Sequence, residues 1–404
     1  EFPGPRHKPT SFDRTRLTTE ALGGAWSHTI EERNVFQVFA VRSETEARDE
    51  VRIPSRKEVS YDYDYLSNDR LWTAGFSHLY GIGPVTLRYG VEASQLDSRF
   101  ATTKRNLKYD RLVLSDLTRS DSLGARAYID GLWDVTRDLQ FQGAVYRTQI
   151  DGDDANWGPV DFRLGGAWSP FDGQWLRAYY RQDTSYLTNY TLSPITTVGL
   201  APMELPLFLD GQTRTTAIRW DAEWSERFFT TAEYQHQQFH GLSASYPDMV
   251  LDLQTESGKI DRLNFAANYW LGGGFGSFAS LTLNQSRDTK GFWAGSDVPL
   301  IPDYIAQVGL KYVHPSRVTA TVAQNFVGHR LGAQDYKMVH REPVPIVRGL
   351  DEYMTTDAAV TWSSPNGNLD FAFAVTNIFD KRVESAFNVP APGRTLRVSL
   401  TTKF

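Results

Sequence analysis

The chain has 404 residues, and its 42 Lys and Arg against 48 Asp and Glu give a formal charge of −6, which speaks against a general nucleic-acid binder. Aromatics make up 13% of it, yet no run approaches the roughly 18 uninterrupted apolar residues of a helical membrane span. Cysteine is absent, which suits an oxidising compartment.

One unit repeats along the chain: a strand, a tight polar turn, a second strand, then a long connection. Residues 1–13 are Pro-rich and read poorly as a strand, so the first clear one is 14–30. Within 84–96, Val85, Leu87, Tyr89, Val91 and Ala93 alternate with Thr86, Arg88, Gly90, Glu92 and Ser94. Within 213–226, Thr216, Ile218, Trp220, Ala222 and Trp224 oppose Arg219, Asp221 and Glu223. Residues 353–362 set Met354, Thr356, Ala358, Val360 and Trp362 against Thr355, Asp357, Ala359 and Thr361. The last strand, 395–404, sets Leu396, Val398, Leu400, Thr402 and Phe404 against Thr395, Arg397, Ser399, Thr401 and Lys403. A period of two puts one set on an apolar surface and the other on a polar one.

A soluble sandwich also alternates, but its strands run about 5–6 residues. These approach the ~9–11 of a tilted membrane strand. Tight turns are predicted at 31–34, 81–83, 135–138, 171–174, 225–227, 272–274, 314–317 and 364–368, and long connections at 99–119, 183–210, 239–258, 328–350 and 380–392. Short turns on one side and long loops on the other mark an outer-membrane barrel with its turns in the periplasm. The expected fold is therefore all-β, a transmembrane antiparallel barrel of about 16–22 strands over residues 1–404. The strand count comes to about 17, whereas closed bacterial barrels have an even number. That parity predicts at least one further strand, missing from this sequence or hidden in residues 1–13, and a longer polypeptide.

Three segments resemble TonB-dependent outer-membrane receptors. The first is Val375, Thr376, Asn377, Ile378, Phe379, Asp380 and Lys381, followed by Pro392, Gly393, Arg394 and the terminal Phe404. The second is residues 295–302, reading GSDVPLIP, with Phe326 to Arg330 closing the next strand. The third is Leu87 to Glu92. The resemblance implies a barrel that imports a scarce ligand, such as a metal chelate, through a plug and a segment contacting TonB. Neither plug nor TonB box is in the sequence, which keeps two other readings open. One is a plug-less export or secretion porin, for example for a polysaccharide, on a periplasmic N-terminal scaffold, a plan that residues 175–200 also resemble. The other is a surface receptor or adhesin. In each case the chain sits in the bacterial outer membrane, with its lipids, lipopolysaccharide and the barrel-assembly machinery as partners, and no nucleic acid.

Candidate residues follow from the same pattern. Terminal Phe404 resembles the assembly signal of such barrels. Arg88, Glu92, Arg219, Asp221, Glu223 and Arg397 fall on the polar face and are predicted to line the lumen, as a solvated wall of paired charges more than as a specific ligand site. Lys104, Arg105, Lys108 and Arg111 make connection 99–119 basic, and Arg330, Lys337, His340 and Arg341 do so for 328–350. Such loops can steer an anionic ligand or hold lipopolysaccharide phosphates, although most charge runs are simply solvated. Connection 183–210 is unusually apolar and is predicted to fold inward over the barrel mouth. The acidic stretch 151–156 lacks the order of a calcium loop and reads as a surface turn, so no metal site is predicted. Gly-x-Ser-x-Gly, His-Glu-x-x-His and Walker patterns are absent, so neither catalysis nor a cofactor is expected. His78 and His236 fall on the apolar face with no partner evident from sequence.

Overall fold

The computed structural model of the protein describes residues 12–53, 61–106, 109–153, 156–244, 253–291, 293–332, 336–339, 342–345, 348–386 and 389–402. Among them are seventeen strands of eight residues or more. These and the short strand Asn156–Trp157 make up an 18-stranded sheet. The chain forms two compact units: Glu1–Leu132, Ala144–Phe162 and Tyr186–Pro194 in the first, and Trp133–Gly143, Arg163–Ser185 and Ile195–Phe404 in the second.

The first unit begins with four long strands, β1 (Phe12–Glu31), β2 (Asn34–Ile53), β3 (Tyr61–Ile82) and β4 (Val85–Asn106), each antiparallel to the next. Register places Trp26, Val38, Phe76 and Val91 in one row across all four, which is the apolar face. The neighbouring row, Ala25, Phe39, Gly75 and Glu92, lies on the opposite face. The two tight turns brace each other. Arg33, at a φ of 65° in the first, donates to Gly83 O in the second at 2.8 Å and to Val85 O at 3.1 Å. Most of β5 (Arg111–Asp134) and the end of β6 (Leu139–Gly152) belong to this unit, where Tyr128, Ala144 and Tyr146 form a small buried cluster.

The second unit takes most of β7 (Val160–Phe171) and then β8 (Gln174–Thr184), β9 (Leu207–Ser225), β10 (Phe228–Ala244), β11 (Leu253–Gly272) and β12 (Phe275–Lys290). It continues with β13 (Tyr304–Val313), β14 (Val318–Val327), β15 (Tyr353–Ser363), β16 (Leu369–Thr376) and β17 (Thr395–Thr402). Successive strands pair antiparallel throughout. Trp220, Ala232, Phe265, Leu281, Ala306, Phe326 and Met354 form one continuous apolar row over seven strands. On the last strand Val398 and Leu400 share the apolar face with Phe373 and Phe371, while Arg397 and Ser399 lie opposite Ala374 and Ala372 on the other. The alternation read from sequence is the alternation of the sheet.

All eight predicted tight turns fall between consecutive strands. The long connections differ more. Connection 99–119 is mostly strand, because β4 runs to Asn106 and β5 starts at Arg111. Its Thr-rich stretch continues the β3–β4 ladder as far as Tyr61 opposite Asn106, and β-branched residues favour that pleated state. Likewise β10 and β11 extend to Ala244 and from Leu253 into the predicted loop 239–258. Connection 328–350 contains two short ladders, Arg330–Gly332 with Arg348–Leu350 and Tyr336–Val339 with Glu342–Pro345.

Candidate functional site

Polar side chains that alternate onto the same face of neighbouring strands meet at the cross-strand spacing, so charges on one face of a sheet form ladders. In the second unit one ladder crosses five strands. Arg177 on β8 donates to Asp221 Oδ2 at 2.5 Å, and Arg219 Nε to Asp221 Oδ1 at 2.8 Å. Thr231 on β10 donates to the same Oδ1 at 2.8 Å. Arg219 Nη1 lies 3.6 Å from Glu233 Oε2, Asn264 on β11 donates to Glu233 at 3.5 Å, and Thr282 on β12 donates to Asn264 at 2.9 Å. A second group sits nearer the long-loop end. Arg163 and Arg181 both hold Asp183, at 2.6 and 2.5 Å, and Arg181 Nη1 donates to Ile195 O at 2.8 Å.

Connection 183–210 packs on this polar face. In the second unit its tip, Thr197 to Leu200, is a tight turn closed by reciprocal backbone bonds of 2.9 Å. Val198 and Gly199 both have positive φ, 45° and 79°, and Val198 N donates to Gln142 Oε1 at 2.6 Å. A β-branched residue in that region is strained, so the surroundings must hold it. Val198 and Leu200 are buried with Ala167, Tyr179 and Ala217. The tip approaches β7 so closely that a Cβ on Gly165 would lie 2.8 Å from Thr197 Cγ2. In the first unit residues 186–194 of the same connection dock on Glu92, which is 2% exposed. Its carboxylate accepts from Thr191 Oγ1 at 2.6 Å and Leu192 N at 2.7 Å. The Arg126 guanidinium lies 4.2 Å from the Tyr186 ring centre.

The remaining predicted residues are dispersed. Arg88 is half-buried on the face of Glu92, and Glu223 and Arg397 are exposed on the face of Asp221 and Ser399. Lys104 sits over the Tyr63 ring at 5.1 Å, Arg105 pairs with Asp110 at 3.2 Å, and Arg111 is exposed. Arg330 is buried instead of projecting from a loop. It is 5% exposed, donates to Asp351 O and Glu384 O, and lies over Tyr353. Lys337 is on the strand Tyr336–Val339. Lys108, His340, Arg341 and Phe404 lie outside the described residues. Sequence reading passed over Arg163, Asp183 and Arg262. The even spacing of Arg177 and Arg181 on one strand was the available signal for a ladder.

Both histidines of the apolar face have partners, contrary to expectation. His78 Nδ1 is 2.6 Å from the Tyr89 hydroxyl and Nε2 is 2.9 Å from Asn34 Oδ1, with the ring stacked on Phe36. His236 Nδ1 is 2.7 Å from Asp261 Oδ1, which also accepts from the Tyr234 hydroxyl at 2.6 Å. These residues mark a boundary. The row Ile218, Tyr234, Leu263 and Leu283 is apolar, the next is Thr216, His236, Asp261 and Gln285, and the one after is Arg214, Gln238, Lys259 and Arg287. Beyond it His240 Nδ1 lies 3.0 Å from Ser257 Oγ, with no carboxylate on its other nitrogen among the described residues. Among the described residues that pair has no third member of a nucleophilic triad. No group of three metal-ligating side chains occurs among the described residues.

The C-terminal motif is a clasp. Asn377, at φ 51°, donates through its side chain to Lys381 O at 2.8 Å and accepts from Lys381 N at 2.9 Å. Its own N–H donates to Asp357 Oδ1 at 2.8 Å. Asp380 Oδ1 accepts from Arg394 N at 2.8 Å, and a Cβ on Gly393 would stand 2.5 Å from that oxygen. The Asn, Asp and Gly of the motif thus tie the loop between β16 and β17 shut.

No family model matches the chain, and no curated relative does. Solved structures do. The ferric citrate transporter FecA in its unliganded form has a TM-score of 0.65 at 16% identity, over 97% of this chain and 62% of that one. The ferric yersiniabactin uptake receptor FyuA from Yersinia pestis gives 0.64 at 15%, over 96% and 62%. The copper transporter OprC gives 0.68 at 13%, over 96% and 65%. The chain spans about two thirds or less of the length of each of these structures. All three are TonB-dependent receptors, and at these identities the likeness is one of fold: this chain has the fold of their outer-membrane β-barrels.

Proposed function

We propose that the chain is the barrel portion of a bacterial outer-membrane transporter that imports a scarce ligand, such as a metal chelate, driven by TonB through a segment outside this sequence. The fold shared with FecA, FyuA and OprC carries the reading. Two features support it. The polar face, which this reading turns to the lumen, is a charged ladder with connection 183–210 packed on it, a wall built for contact more than for free passage of a polymer. The opposite face carries apolar rows that end at His236 and Asp261. Above them Arg214, Lys259 and Arg287 are exposed at the level where lipopolysaccharide phosphates would lie. Phe404 as the contact for the barrel-assembly machinery belongs to the same reading.

The test is uptake of radiolabelled ferric and cupric chelates by cells expressing the full-length gene, with TonB present or deleted. TonB-dependent accumulation is the expected result. Ion conductance or efflux indifferent to TonB would favour the export porin, and surface binding without accumulation the adhesin. Either would overturn import.

A further inference from the structure

Entirely within the second unit, a pocket of about 630 Å³ lies between the polar face of β10–β12 and two loop segments, residues 201–206 and 298–302. That volume is in the range of small-molecule sites. The loop side is apolar and stiff. Pro202, Pro206, Pro299 and Pro302 restrict its backbone, and Met203, Leu205 and Ile301 pack on a buried cluster of Phe239, Leu242, Ile260 and Val298. The sheet holds both segments in place. Gln237 Nε2 donates to Met203 O at 2.9 Å, and Asn284 Nδ2 to Pro302 O at 2.8 Å. The pocket is preformed.

Its sheet side carries a buried guanidinium with open hydrogen-bonding positions. Arg262 is 8% exposed, and its Nε donates to Asn284 Oδ1 at 2.9 Å. Its two terminal nitrogens have no hydrogen-bond or ion-pair partner among the described residues. Glu233, on the same wall, is engaged by Arg219 at 3.6 Å, by Asn264 at 3.5 Å and by Gln235 Nε2. Glu204 lines the pocket from the loop side, is exposed, and makes no ion pair with Arg262. Beside the arginine, Gln235 Oε1 is buried without a donor. Glu233 acts on Arg262 through space without a hydrogen bond, so the terminal edge of the guanidinium in the pocket wall is open to a bidentate anion.

We propose that this pocket binds a small organic anion: a singly charged carboxylate with a hydroxyl or amino donor beside it and a short apolar tail. The carboxylate pairs with the free edge of Arg262, the donor satisfies Gln235 Oε1, and the tail lies on Met203, Leu205 and Ile301. Glu233 and Glu204 line the same pocket, and their negative charge selects a singly charged carboxylate over a doubly charged phosphate monoester. As the identity of the transported ligand this rests on the import reading; as a binding site it does not.

The experiment uses the full chain refolded in amphipol, with radiolabelled 2-hydroxyoctanoate in equilibrium dialysis and its methyl ester as the neutral control. Saturable binding of the acid and not the ester is expected. Arg262→Gln should weaken it roughly 10- to 100-fold, the range for a hydrogen bond to a charged group. Ile301→Trp, which fills the pocket from the loop and leaves the sheet untouched, should abolish it. No saturable binding by the parent chain, equal binding of the ester, or parent-like binding by Ile301→Trp would each overturn the proposal. If binding holds while the full-length protein imports nothing, the pocket stands and the import reading falls. If import holds while binding is absent, the reverse is true.

Discussion

The face assignment can be tested with one pair of neighbouring residues. Leu281 lies in the apolar row between Phe265 and Ala306, and Ser280 points to the other face between Ala266 and Gln307. From Phe275, at the tight-turn end of β12, to Gln285, in the first polar row, the strand rises about 33 Å at ~3.3 Å per residue. A tilt of about 40° reduces that to about 25 Å, the height of the apolar band of an outer-membrane barrel. Leu281 then sits about 15 Å above one limit and 10 Å below the other, close to the midplane. An arginine there costs about 2–4 kcal/mol, or roughly 30- to 900-fold in the folding equilibrium. Ser280 is exposed on the face assigned to water, where an arginine keeps its hydration and should cost well under about 1 kcal/mol. Urea titrations of Leu281→Arg and Ser280→Arg in phosphatidylcholine vesicles, read by tryptophan fluorescence and heat-modifiable migration, measure both. Equal losses, or a larger loss for Ser280→Arg, would refute the assignment of faces.

Three further outcomes are expected. Gly393→Ala drives a methyl against Asp380 Oδ1, 2.5 Å away, and should lower stability by about 1–3 kcal/mol; Asp380→Ala, which removes the clash along with the bond to Arg394, should largely rescue it in the double variant. Glu92→Ala removes the acceptor for Thr191 Oγ1 and Leu192 N, so residues 186–194 should become cleavable by added protease while the sheet stays folded; protection equal to that of the parent would count against the anchoring role. Because the chain has no cysteine, single-cysteine labelling is clean: Asp110→Cys should react with an impermeant maleimide on intact cells and Gly83→Cys should not, and the opposite pattern would invert the topology.

How much was legible in the sequence depended on whether a feature repeats locally. The strand faces were legible because period two is written into each strand: Trp220 and Phe265 declare their side without knowledge of a neighbour. The tight turns were legible for a related reason, since Gly83, Gly173 and Gly274 occupy positions of positive φ. Arg33 and Arg317 occupy the same region without that marker and were found only through the polar clusters around them. Strand ends were not legible beyond the apolar band: the end of β4 is held there by its pairing with β3 and by threonines, with no apolar stripe to mark it. The site was the least legible part. Whether Arg262 is solvated, paired or left facing a pocket depends on which strand lies beside β11 and on loops about 60 and 40 residues away in sequence, Met203 and Pro302. An arginine and a glutamate on one polar face read alike in a sequence. In the sheet Arg219 reaches Glu233 and Arg262 does not, and that difference in register turns one residue into wall and the other into a site.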